Sequence, residues 1–295
     1  MADASIKKKI EAGEFFVAPG VFDMMSVMMA NRVGFECIYA SGFWLTASYL
    51  GIPDAGIATY TDMLNRVSRV VELSTAPVIA DADTGFGGLL NIQQTVRGYE
   101  AVGVTGIQIE DQEFPKKCGH TPYRRVVPLA DMLGRIAVAL DSRHSDDCLI
   151  IARTDARTGS GLDEALERGA RFAEAGADLV FVEALESEDE LRQAAQTVSA
   201  PLLANMADGG VTPILSAAEL KEIGFAGAIF PAIASLAANA AVEAAMKHLK
   251  TTGTSQGSPV DRFDFPTFCR EIGFEEVWEF EKKWAHLLES DASQD

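Results

Sequence analysis

The chain has 295 residues and is 48% hydrophobic, enough for one large core. Its 25 Lys and Arg stand against 43 Asp and Glu, a formal charge of −18, which repels nucleic acid and anionic lipid and removes both from the expected partners. No apolar run reaches the roughly 20 residues of a membrane-spanning helix, Met1 to Glu14 lack an apolar signal core, and Cys37, Cys118, Cys148 and Cys269 form no CxxC pair, so a reduced, cytoplasmic protein is expected.

In chain order, short apolar runs alternate with amphipathic stretches of helical length. The runs are Phe15–Pro19, Cys37–Ser41, Pro77–Asp83, Gly106–Glu110, Leu149–Asp155, Asp178–Glu183, Pro201–Asn205 and Gly227–Phe230. Between them lie predicted helices such as Asp62–Leu73, Asn91–Val102, Leu129–Arg143, Leu162–Ala175 and Ser216–Ile223. Val33-Gly34-Phe35, Val102-Gly103-Val104, Ala175-Gly176-Ala177 and Ile223-Gly224-Phe225 share one stop signal. In each, a glycine just past the helix supplies the left-handed residue that turns the chain into the next strand. Eight such alternations predict an α/β fold, a (β/α)₈ TIM barrel of parallel strands. The alternative, an open doubly wound sheet, lacks its Gly-x-Gly-x-x-Gly turn after the first strand.

After the eighth strand come an alanine-rich helix, Ile233–Leu249, a Gly/Ser/Thr linker, Thr251–Ser258, and a last amphipathic helix, Pro266–Leu288. Residues 1–250 are expected to form the catalytic barrel. Residues 251–295 are expected to form a helical extension that packs on the same barrel or reaches a neighbouring subunit.

In a barrel the carboxyl ends of the strands meet at one mouth. Strand two ends at Ser41-Gly42, strand three at Asp81-Ala82-Asp83, strand four at Glu110-Asp111, strand five at Arg153-Thr154-Asp155, strand six at Glu183 and strand seven at Asn205. Singly, each acid reads equally well as a helix N-cap; the five consecutive polar ends of strands three through seven read as a site. Asp81 and Asp83 are two apart on an extended strand, which points both carboxylates to one face, and Glu110 joins them from the next strand. Three converging carboxylates call for a cation, and an all-oxygen donor set suits Mg²⁺ or Mn²⁺. The metal and Arg153, which can grip a carboxylate bidentately, would offset the repulsion between this acidic chain and an anionic substrate. After strand four, Lys116-Lys117-Cys118-Gly119-His120 sets a thiol beside three basic residues, a candidate for proton transfer or nucleophilic work. A plain surface loop is the competing interpretation.

Ser41-Gly42, Asp54, the run from Ala80 to Gly87 (Ala-Asp-Ala-Asp-Thr-Gly-Phe-Gly), Gln108 to Gln112, Lys116 to His120, Ala152 to Ala156 and Asn205-Met206 together resemble the isocitrate lyase/phosphoenolpyruvate mutase superfamily over nearly the whole chain. The resemblance implies a barrel whose eighth helix is swapped between subunits, in dimers that pair into tetramers. It implies Mg²⁺ held by Asp83 directly, with Asp81 and Glu110 acting largely through water. The segment Ser41-Gly42-Phe43, with Arg153, would bind substrate; Asp54, Gly119, Glu183 and Asn205 would add contacts. Cys118 looks like the family's proton donor, with Lys116 and His120 supporting its loop and Arg153 and Glu183 sharing the catalytic work.

The chain departs from the tricarboxylate lyases of that family in three places. Bulky Phe43 and Trp44 follow Ser41-Gly42, Thr121 follows the loop histidine, and no arginine lies between Phe230 and Leu236. More bulk and fewer cations favour a smaller acid. The expectation is a Mg²⁺-dependent carbon–carbon lyase of the (methyl)isocitrate lyase-like branch. Its expected substrate is a small α-hydroxy dicarboxylate, a substituted malate or a methylisocitrate-like acid, cleaved to release an α-keto acid. Oxaloacetate hydrolysis or decarboxylation, phosphonopyruvate-type P–C chemistry, and a non-catalytic oligomeric scaffold are the alternatives.

Overall fold

The computed structural model describes residues 3–119, 121 and 123–289. Eight strands, β1 (Phe16–Val21), β2 (Ile38–Ala40), β3 (Val78–Asp81), β4 (Gly106–Glu110), β5 (Leu149–Thr154), β6 (Leu179–Val182), β7 (Leu203–Asn205) and β8 (Gly227–Phe230), pair in parallel in the order β6-β5-β4-β3-β2-β1-β8-β7. Val180 bridges to Leu202 in parallel, and its N–H donates to the Pro201 carbonyl at 2.9 Å, which brings β6 to β7 and nearly closes the ring. The (β/α)₈ barrel expected from the alternation is the fold observed.

Strand alternation divides the core into two layers. Phe16, Ala18, Tyr39, Ile79, Leu149, Ile151, Leu179, Phe181, Leu203 and Ile229 form an inner cluster. Their alternate neighbours, such as Ile38, Ala80, Ile107, Ile150, Val180 and Ala204, pack outward with the helices. Ile6, from the helix Ser5–Glu11, is fully buried in the inner cluster. Gly227 lies against the Phe16 ring, where an added Cβ would meet ring carbons at 2.4 Å, so the large side chain takes the space its neighbour leaves.

The helix stops behave as their chemistry requires: Gly34, Gly103, Gly176 and Gly224 all have φ between 83° and 117°. Contacts divide the chain into two compact units, one ending at Ala237 and one starting at Ala238. In the second, the predicted single helix Pro266–Leu288 is two helices, Phe265–Glu271 and Phe274–Glu289. Gly273, at φ 93°, interrupts the helical backbone between them. Among the described residues, no helix is long and apolar enough to cross a membrane.

Candidate active site

The inner parity of the strands selects the site. Tyr39 leads to Ser41, Ile79 to Asp81, Gln108 to Glu110, Ile151 to Arg153, Phe181 to Glu183 and Leu203 to Asn205, each pair two residues apart. The lower member packs inside the barrel, and the upper one reaches the mouth. Ser41, Asp81, Glu110, Arg153, Glu183 and Asn205 accordingly line one cavity of about 240 Å³, together with Phe43, Asp54, Lys116, Cys118 and Gly119.

Asp83 does not follow this rule. The strand stops at Asp81, and Asp83 takes a left-handed conformation, φ 49°, instead of extending the strand. Its N–H donates to Asp81 Oδ1 at 2.9 Å, so a tight turn, and not strand alternation, brings the two acids together. Its carboxylate meets Lys116, whose Nζ lies 2.7 Å from Asp83 Oδ1 and 2.5 Å from Asp54 Oδ1. All three side chains are nearly inaccessible. Burial pushes the Asp83 carboxyl up to about 7, although the Lys116 charge pulls it down. Burial also works against the Lys116 ammonium, and the charges of Asp83, Glu110 and Asp54 outweigh it and hold that pKa well above its usual value.

A second buried cluster surrounds Arg153. Its Nε and Nη2 donate to Asp155 Oδ2 and Oδ1 at 3.0 and 2.9 Å, and Nη2 lies 3.2 Å from Glu183 Oε2. Asn205 Nδ2 donates to the same Glu183 oxygen at 3.0 Å. Glu110 Oε2 is 3.6 Å from Arg153 Nε, and burial raises the Glu110 carboxyl well above its usual range against the pull of that guanidinium. The acids of the mouth thus meet buried cations, Arg153 from β5 and Lys116 from the loop after β4.

That loop is held at its base by Gln112, which donates to the Lys117 carbonyl at 2.8 Å and accepts from the Lys117 N–H at 3.0 Å. The Cys118 N–H donates to the Asp54 carbonyl at 3.2 Å, and Thr121 Oγ1 donates to the Cys118 carbonyl at 2.8 Å. Cys118 is half-buried on the cavity wall. Gly119 comes so close to Arg153 that a Cβ there would lie 2.1 Å from Nη2. At Gly42 the added atom would sit 2.6 Å from Asp81 Oδ2. Phe43 and Trp44 meet edge to face with centroids 4.8 Å apart. His120 lies outside the described residues.

Some participants escape sequence reasoning. Tyr39 lines the cavity and donates from its hydroxyl to Gln108 Oε1 at 3.0 Å; Gln108 Nε2 reaches Asp81 Oδ1 at 3.4 Å. The two-residue offset from Ser41 and Glu110 was the available signal. Asp155, seen in the sequence as a strand end within a matching stretch, anchors Arg153. Ile229, Pro231 and Ala232 add an apolar lining at the end of β8.

Among the described residues, no three Asp, Glu, His or Cys side chains are gathered closely enough to hold a metal ion as they stand. The donors facing the cavity nevertheless match a hard cation in kind. Asp81 and Glu110 are carboxylates, and Glu110 Oε1 is buried with no hydrogen-bond partner among the described residues.

An acidic, cation-balanced mouth at the carboxyl end of a (β/α)₈ barrel, with a thiol on its wall, defines an enzyme site. Residues 6–250 match the phosphoenolpyruvate phosphomutase (PEP mutase) family. The chain is 42% identical over 282 residues to 2,3-dimethylmalate lyase of Eubacterium barkeri, covering 96% of this chain and 98% of that protein. It is 39% identical to 2-methylisocitrate lyase of Aeropyrum pernix, covering 96% and 90%. A solved oxaloacetate acetylhydrolase in complex with 3,3-difluorooxalacetate superimposes with a TM-score of 0.88 at 32% identity, over 97% and 99% of the two chains. The chain belongs to the PEP mutase/isocitrate lyase superfamily, and by its relatives it is an enzyme of the carbon–carbon lyase kind.

Proposed function

We propose that the chain is a Mg²⁺-dependent lyase that cleaves a carbon–carbon bond in a small, alkyl-substituted malate. The carrying observation is that Cys118, Arg153 and Glu110 line one cavity whose remaining surface includes Phe43, Trp44, Ile229 and Pro231. Arg153 and Lys116 supply charge for carboxylates, and the apolar lining of Phe43, Trp44, Ile229 and Pro231 accepts alkyl groups. Mg²⁺, held by Asp81, Asp83 and Glu110 with water, would supply positive charge beside the substrate's α-oxygen.

In the cleavage, a base takes the α-hydroxyl proton and the C–O bond becomes a carbonyl. The bond to the β-carbon breaks, and its electron pair stays on that carbon, next to the second carboxylate. Cys118 delivers its thiol proton there, which leaves an α-keto acid and a shorter carboxylic acid. Arg153, fixed by Asp155 and Glu183, orients a carboxylate. The Phe43–Trp44 pair limits the size of the acid and excludes water from the β-carbon.

A panel of dicarboxylates with Mg²⁺, scored for pyruvate, oxalate and phosphate, tests the proposal. α-Keto acid release from 2,3-dimethylmalate or a close homologue is expected. Oxalate from oxaloacetate would support the second possibility, hydrolysis, which the similarity to oxaloacetate acetylhydrolase favours. No product from any dicarboxylate would end the lyase proposal. Cys37, Cys148 and Cys269 are free thiols, which suits a cytoplasmic enzyme. A homodimer or homotetramer with helix exchange is the proposed assembly, supported by exposed Phe265, Trp278, Phe280 and Leu287 on the last helices.

A further inference from the structure

The loop between β4 and the helix Leu129–Ser142 is secured beyond the contacts of Gln112 and Lys116. Arg124, with its side chain only 3% exposed, donates from Nη1 to Asp155 Oδ1 at 2.6 Å and from Nη2 to Thr158 Oγ1. The chemistry above makes no use of this guanidinium. Burying a charge is costly, so the pair calls for a reason.

Asp155 supplies one. Its carboxylate is buried and serves two cations at once, accepting from Arg153 Nε and Nη2 while Arg124 takes part of Oδ1. The Asp155 N–H donates to Asp111 Oδ1 at 2.9 Å, which fixes the backbone beneath that carboxylate. Arg153 therefore has Asp155, Glu183 and Glu110 in reach, and Arg124 moderates the first of the three. Without Arg124, the whole Asp155 charge would fall to Arg153 and draw it away from Glu183 and the cavity. The same loss would release a segment that lies six positions after Cys118.

We propose that Arg124 is a positioning residue that ties the Cys118 loop to the carboxylate orienting Arg153, so that one ion pair sets proton donor and carboxylate anchor together. The proposal rests on the lyase function only for the roles of those two groups.

Arg124→Met and Arg124→Lys can be compared with the wild-type chain by thermal unfolding, oxalate binding in Mg²⁺ buffer, and the rate of Cys118 alkylation by iodoacetamide. Oxalate stands in for a substrate carboxylate pair. Neither binding nor alkylation requires turnover, so a chain that cleaves no dicarboxylate would end the lyase proposal while this test still stands. Arg124→Met is expected to weaken oxalate about tenfold, an ordinary size for coupling between two groups, and to raise the alkylation rate several-fold. Arg124→Lys, which keeps the charge without the two-point grip, should fall between. If Arg124→Met does not fold, Arg124→Lys and Thr158→Ala carry the comparison. If the wild-type chain binds no oxalate, alkylation decides. Folded variants with wild-type alkylation and wild-type oxalate affinity would overturn the proposal, even with a lower melting temperature, because the residue would then serve stability alone.

Discussion

Burial separates the thiols of this chain. Cys37 and Cys148 are in the core, where desolvation pushes the thiol up, to about 12 for Cys148, whereas Cys118 sits on the cavity wall. Cys118→Ser keeps size and hydrogen bonding but offers a much weaker acid. It should lower kcat by about 10²–10⁴-fold, the usual contribution of a positioned acid, with little change in KM. Cys37→Ala and Cys148→Ala should change the melting temperature and leave kcat alone. Steady-state kinetics with 2,3-dimethylmalate or the best substrate found checks both, and near-normal turnover by Cys118→Ser would remove the thiol from the mechanism. Asp83 gives a prediction in pH. Its carboxyl is raised from 3.8 to about 7, first by burial. Between those values the folded chain keeps a proton that the unfolded chain has lost, so metal-free stability should fall as pH rises through this window and level off above it. Asp83→Asn should flatten that fall when unfolding is followed in EDTA. Equal slopes for the two proteins would show that the carboxylate is not paying this cost.

At the scale of elements, the two ends of the barrel do different work. Ile6, from the first helix, is fully buried in the inner cluster, away from the residues of the mouth. Ile6→Ala should cost about 2–5 kcal/mol, as cavity-forming substitutions do, with KM and kcat unchanged where the protein remains folded. Gly42 starts the helix that follows β2, and a Cβ there would press on Asp81 Oδ2. Gly42→Ala should give the reverse result: a melting temperature near wild type and a loss of activity of tenfold or more, since a displacement of about 1 Å at a reacting centre costs about 10²-fold. Denaturant unfolding alongside kinetics separates the two outcomes. If Gly42→Ala is fully active, Asp81 does not need its present position.

For the whole molecule, the question is what covers the last helices. Phe265, Trp278, Phe280 and Leu287 are 52–74% exposed, an apolar surface unlike that of a soluble monomer. Sedimentation at micromolar concentration should give a dimer or tetramer, and truncation after Ala237 should shift it toward smaller species. A monomeric full-length chain would sink the exchange of helices. The charge of −18 also makes the mouth depend on its own cations, because the average field of the surface opposes an anionic substrate.

Much of this was legible along the chain, because the relevant physics is local. Strand alternation has a period of two, so Ser41, Asp81, Glu110, Arg153, Glu183 and Asn205 declare themselves as upper neighbours of buried residues, and a glycine past a helix end marks the stop. The family motifs likewise name Lys116 and Cys118 directly. Asp83 meets Asp81 for a reason other than strand alternation, since its left-handed backbone depends on the turn it closes. The balance of charge was not legible at all. Lys116 meets Asp54 across 62 residues, and Arg124 meets Asp155 across 31. No local pattern encodes such pairs, because they form only when the closing barrel brings separate strand ends together and removes the water that would otherwise solvate each charge.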